Sequence, residues 1–197
     1  STLNKGKRSI MLTGESGSGK SSLTLILSSN GFSLVADDFS PISNNMKHYK
    51  FPAAISVKNG FYDYANKLSK DFIKKKEYLV DKNKGKFKYF SLDIDNRSNS
   101  HNCNYIIDVK YGKHLKNNIS MSTKGKALQK LLPESWLSRI FNNSKKFYQW
   151  IHNSNFYELT YNDNKKAIEL INNIFWIMVL IIMAAGSGSR YGKLKQF

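Results

Sequence analysis

Apolar residues along the chain fall into short runs separated by polar and glycine-rich breaks, and their spacing predicts alternating strands and helices. Ser9 to Thr13 predicts a short buried strand, and it runs directly into a Gly/Ser-rich stretch, Gly14 to Ser21. Leu23, Ile26 and Leu27 share one face at helical spacing, so a helix should follow the stretch, with Asn30-Gly31 as its stop. Phe32 to Ala36 predicts a second strand, ending at Asp37-Asp38. Further strands are expected at Ala54 to Lys58, Lys86 to Leu92, Tyr105 to Tyr111 and Asn155 to Tyr161, with a polar loop over Asp95 to Asn104. A helix is expected at Lys124 to Leu132 on the apolar face Ala127, Leu128, Leu131 and Leu132. Pro133 separates it from another at Glu134 to about Ile151, with Trp136, Leu137, Ile140, Phe141, Phe147 and Tyr148 inward. Asn162-Asp163-Asn164 should cap a last helix carrying Ala167, Ile168 and Ile171. After Asn173 the character changes: Met178 to Met183 is a β-branched apolar run of the kind that makes a buried parallel strand, followed by the glycine-rich Ala184 to Arg190.

Composition adds bounds to this pattern. At 197 residues with 41% apolar positions, the chain suits one domain with a sizeable core. Its charge of +17 comes almost wholly from Lys scattered among Asn, with Arg only at Arg8, Arg97, Arg139 and Arg190. Readers of base edges lean on the bidentate Arg fork, so this balance predicts a solvated basic surface more than a nucleic-acid site. Cys103 is alone, which excludes a disulfide framework and a cysteine metal site, and the four histidines lack metal-ligand spacing, so each is expected as a surface or satisfied residue rather than a ligand. The apolar run Ile174 to Ala185 is shorter than the ~20 residues of a membrane span, and no signal peptide precedes the first strand. The expected location is cytoplasmic, and self-association is compatible with the sequence.

The chemistry concentrates in Gly14-Glu15-Ser16-Gly17-Ser18-Gly19-Lys20-Ser21, which meets the pattern G-x-x-x-x-G-K-S/T between a predicted strand and a predicted helix. Glycines let successive backbone N–H groups curl inward around phosphates, and the helix N-terminus, with Ser22 in its first turn, adds partial positive charge there. Lys20 is expected on the β- and γ-phosphates, and the Ser21 hydroxyl on magnesium. These residues predict ATP with Mg2+. Asp37 and Asp38 end the next strand, and in a strand-helix-strand unit that end faces the same edge as the loop. One carboxylate would hold magnesium and the other would take a proton from an attacking hydroxyl. Asp108, ending the apolar Tyr105-Ile106-Ile107, competes for the magnesium role as in an ABC-type ATPase, but no L-S-G-G-Q-like segment occurs.

G-E-S-G-S-G-K-S and Asn30-Gly31-Phe32-Ser33-Leu34-Val35-Ala36-Asp37-Asp38, similar to G-x-x-L-V-A-D-D, resemble the HPr kinase/phosphorylase-like kinases. Weaker matches at Phe51 to Gly60 and at Phe156-Tyr157-Glu158-Leu159 extend the resemblance over most of Lys7 to Ile174. The resemblance implies an α/β P-loop kinase core, a mixed sheet flanked by helices and related to phosphoenolpyruvate carboxykinase, spanning residues 1–174, with Asp37 as base and Asp38 near magnesium. Where that family carries a Glu before an apolar and a basic residue, this chain has Ser56-Val57-Lys58, which leaves Lys58 as a phosphate ligand. The family's upstream domain, and its histidine ahead of the loop, have no counterpart in the thirteen residues before Gly14. The tail, Met183 to Gln196, resembles sugar-phosphate nucleotidyltransferases, which implies that residues 178–197 begin a second domain binding a nucleotide through Gly186, Gly188, Arg190 and Lys195. The expected activity is γ-phosphoryl transfer to a hydroxyl, on a serine of an HPr-like protein or on a small polyol, sugar or amino acid. The alternatives are a basic nucleotide-regulated binding module and an ATPase without kinase activity.

Overall fold

The computed structural model describes residues 1–6, 8–43, 45–51, 53–81, 85–91, 100–135 and 141–184, with 80–81, 100–101, 141–142 and 175–184 described as backbone. Ten strands and five α-helices are seen among them. A mixed seven-stranded sheet contains β1 (Thr2–Lys5), β2 (Arg8–Thr13), β3 (Ser33–Ala36), β4 (Lys47–Tyr49), β8 (Ser100–Tyr111), β9 (Asn118–Met121) and β10 (Asn155–Tyr161). The path across it is β3-β1-β2-β8-β10-β9, and β4 pairs with the start of β8. A second, antiparallel sheet has the order β5 (Ile55–Lys58), β7 (Gly85–Phe90), β6 (Glu77–Asp81).

Strands β2, β8 and β10 are parallel neighbours, and β8 lies in the middle. Both of its faces are covered, so it reads as a nearly continuous apolar run from Tyr105 to Val109, broken only by Asp108. On one face Tyr105, Ile107 and Val109 meet Leu23 and Leu27 of α1 (Lys20–Ser28) and Ala167 and Ile171 of α5 (Asn164–Ala184). On the other Ile106 meets Ala127 and Leu131 of α3 (Lys124–Leu131) and Trp150 and Ile151 of α4 (Phe141–Asn153). Among its described side chains the second sheet buries Ile55, Val57 and Phe90, against Leu25, Leu34, Phe72 and Ala65 of α2 (Tyr62–Leu68).

Each predicted strand and helix before Asn173 has a counterpart, although residues 134–135, expected to open the helix towards Ile151, are turn and irregular chain; four further corrections follow. β1, which the pattern did not predict, lies between β2 and β3, so the expected neighbours are separated by an antiparallel strand. Two successive reversals still leave β2 and β3 pointing the same way, and their carboxyl ends share one edge. Residues 100–104, expected as loop, are strand, because β4 supplies a pairing partner that no local pattern announces. Among the described side chains of α4 the inward residues are Phe147, Trp150 and Ile151, whereas Tyr148, expected inward, is exposed and the side chain of Phe141 is not described; Leu132, past the end of α3, is also exposed. Trp136, Leu137 and Ile140 lie outside the described residues.

The fourth correction concerns the tail. Residues 178–183, expected as a strand, continue α5, which the Asp163 carboxylate starts by accepting from the Lys166 backbone N–H at 2.9 Å. Ala167, Ile171 and Ile174 recur at helical spacing into the core, and no Gly or Pro interrupts the chain before Ala184. Helix propagation then proceeds one hydrogen bond per residue, whereas a strand would need a neighbour to pair with. Gly186, Gly188, Arg190 and Lys195 lie outside the described residues. No helix among the described residues is long and apolar enough to cross a membrane.

Candidate functional site

The glycine loop joins β2 to α1 at the carboxyl edge of the large sheet. Its glycines are required by shape. Gly14 has φ 134°, and a Cβ there would sit 2.7 Å from the Val109 carbonyl oxygen. Gly19, the residue before α1, has φ 95°, and its Cβ would meet the Tyr161 hydroxyl at 2.8 Å and Tyr111 Cβ at 2.9 Å. Only glycine combines that backbone conformation with that approach.

Within the loop the Ser18 backbone N–H donates to the Glu15 carbonyl at 3.1 Å, and the Tyr111 N–H donates to the Ser18 carbonyl at 2.9 Å. The Ser18 hydroxyl is buried without a hydrogen-bond partner. Lys20 curls back over the loop, its Nζ donating to the Gly14 carbonyl at 2.5 Å and the Glu15 carbonyl at 2.8 Å. Partial burial pushes its ammonium below the ordinary lysine range, and the carboxylates of Asp38, Glu134, Asp108 and Asp37, in that order, pull it back up. A phosphate arriving at the loop would exchange these neutral carbonyl acceptors for anionic oxygens.

Both paired acids therefore act on Lys20, in different settings. Asp37 is 1% exposed; its Oδ1 accepts from the Ser1 hydroxyl, and its Oδ2 is buried without a partner. Asp38 is exposed. Ser21 and Ser22 are half-buried in the first turn of α1, while Glu15, Ser16 and Gly17 face solvent. Lys58 is exposed at the end of β5, and no hydrogen bond or ion pair joins it to the loop among the described residues.

Asp108 is held on the opposite face of β8. Register places it beside Thr13 of β2 and Glu158 of β10, and the Thr13 hydroxyl lies 3.5 Å from its Oδ1. Lys130 of α3 forms an ion pair with Asp108 and lies 3.9 Å from Glu158, which also accepts from the Ser122 hydroxyl at 3.2 Å. Asp108 is thus already ion-paired, whereas no salt bridge to Asp37 or Asp38 is found among the described residues.

Sequence reasoning passed over Glu134, assigned there to a helix start, and the two tyrosines against Gly19. The latter carry a readable signal: Tyr111 and Tyr161 are the last residues of two predicted strands, and register makes them partners. Among the described residues no group of three or more His, Cys, Asp or Glu could hold a metal alone. Magnesium beside a nucleotide asks for less, since it takes one or two protein oxygens and fills its octahedron with phosphates and water. The Ser21 hydroxyl and the exposed Asp38 carboxylate meet that requirement in kind, and Asp37 Oδ2 is buried without a hydrogen-bond partner.

No family model matches the chain, and no curated protein matches it. Among solved structures it is similar to the Hpr(Ser) kinase/phosphatase from Coxiella burnetii, at 16% sequence identity and a TM-score of 0.39, with 90% of this chain and 94% of that chain covered.

Proposed function

We propose that the chain is an ATP-dependent kinase of the HPr kinase-like sort, transferring the γ-phosphoryl group to a hydroxyl of a small molecule or of an HPr-like carrier protein. The observation that carries the reading is that β2 and β3, which flank β1, run in the same direction, so that the loop with Lys20 and the pair Asp37 and Asp38 lie at one sheet edge. In this reading the loop amides and Lys20 stabilise charge on the phosphoryl oxygens. Asp37 would take the proton of the attacking hydroxyl as that oxygen bonds to the γ-phosphorus and the bond from phosphorus to the departing ADP breaks. Ser21 and Asp38 would hold Mg2+, which supplies neutralisation of the phosphate charge. Lys58 would add a phosphate contact, and Gly186, Gly188, Arg190 and Lys195 would bind a second nucleotide.

The test is ATP turnover with a panel of small hydroxyl compounds and an HPr-like protein, in the wild type and in Asp37→Asn. Acceptor-dependent ADP release that Asp37→Asn reduces about 100-fold or more is expected. ADP release that no acceptor stimulates would sink the kinase reading and leave an ATPase.

A further inference from the structure

The phosphate loop has two sides. Asp37 and Asp38 close one, at the end of β3, and the ends of β8 and β10 close the other. A nucleotide lying along the loop with its terminal phosphoryl group at the carboxylates must send its nucleoside towards β8 and β10. There an aromatic ring is already in place. Tyr111 is 43% exposed, and its ring lies 5.2 Å from that of the buried Tyr161 at 58°. Its backbone N–H is tied to the Ser18 carbonyl, and its Cβ crowds Gly19. The segment after it is fixed as well: the Gly112 N–H donates to the Tyr161 carbonyl at 3.0 Å, and Asn117 Oδ1 accepts from the backbone N–H groups of Asn162 and Asp163 at 3.0 and 3.1 Å.

An isolated exposed aromatic residue is ordinary on a protein surface. What sets Tyr111 apart is a backbone hydrogen bond to the phosphate loop itself and a ring held by a buried neighbour, so that little conformational freedom is lost when a flat ligand settles on it. We propose that Tyr111 is the shelf on which the base of the bound nucleoside triphosphate stacks. This rests on the nucleotide reading of the loop. Stacking uses the π-face that every base presents, so the shelf adds affinity with little preference between adenine and guanine.

The wild type, Tyr111→Ala and Tyr111→Phe are each titrated calorimetrically with ATP, GTP and inorganic tripolyphosphate in the presence of magnesium. Tyr111→Ala is expected to raise the Kd for ATP and GTP roughly tenfold, to leave tripolyphosphate binding as in the wild type, and to differ from Tyr111→Phe, which keeps the ring and the affinity. Wild-type affinity of Tyr111→Ala for ATP would overturn the shelf while leaving the nucleotide reading intact. Equal loss of ATP and tripolyphosphate would also overturn it, making Tyr111 a support of the loop. A wild type that binds none of the three probes would overturn the nucleotide reading and the shelf together.

Discussion

The two sheets of this protein use the same residue types to different ends. In the large sheet β8 is covered on both faces, and its strand ends hold a glycine loop by close approach: Val109 against Gly14, Tyr111 and Tyr161 against Gly19. In the small sheet one face is buried, and the other presents Tyr78, Phe87 and Tyr89 in mutual contact, with Lys76 5.5 Å from the Tyr78 ring centroid. A position in the first sheet is constrained by packing on two sides and by the loop above it. A position on the outer face of the second is constrained only by its neighbours across the strands, so the first region tolerates little change and the second much.

The largest effects should come from the loop. Lys20→Ala is expected to lower phosphoryl transfer at least 100-fold in a steady-state assay, and Gly19→Ala to do as much by forcing a Cβ into the two tyrosines. Next comes the core below it: Ile107→Ala, at 0% exposure between α1 and α5, should cost about 2–5 kcal/mol in denaturant unfolding. Tyr89→Ser on the outer face of the small sheet should cost about 1 kcal/mol or less, the size of a cross-strand pair. Equal losses at Ile107 and Tyr89 would break the contrast between the sheets.

Two smaller effects sharpen it. Burial lowers the Lys20 ammonium below the ordinary lysine range, so nucleotide affinity should fall on the alkaline side earlier than for an exposed lysine. Asp38→Asn removes the largest opposing influence, which lowers that ammonium further and moves the alkaline fall to still lower pH, readable in Kd measured against pH. Cys103, 1% exposed beneath Trp150, has its thiol pushed up by burial to about 12, and the Trp150 indole N–H donates to its carbonyl at 3.1 Å. It should resist thiol reagents at pH 8 until the protein is unfolded, in contrast to an exposed thiol.

Sequence alone determined the strand-loop-helix unit from Ser9 to Ser28, the following strand to Asp37-Asp38, and the buried run Tyr105 to Val109. In these segments local signals agree: glycines at positions with positive φ, helical spacing in Leu23, Ile26 and Leu27, and an apolar strand covered on both sides. What depends on a distant partner was decided by tertiary structure. Insertion of β1 between β2 and β3 and strand formation at residues 100–104 each turn on pairing between segments, for which a window of sequence holds no signal, whereas α5 continues through residues 178–183 by local propagation that the apolar run masked. The candidate site divides the same way. Its loop and its paired acids are each runs of consecutive residues and were legible, whereas the pairing of Asp108 with Lys130 and the tyrosines closing on Gly19 arise from strand register and helix placement. Charge and packing act through space, and only the fold sets which residues share it.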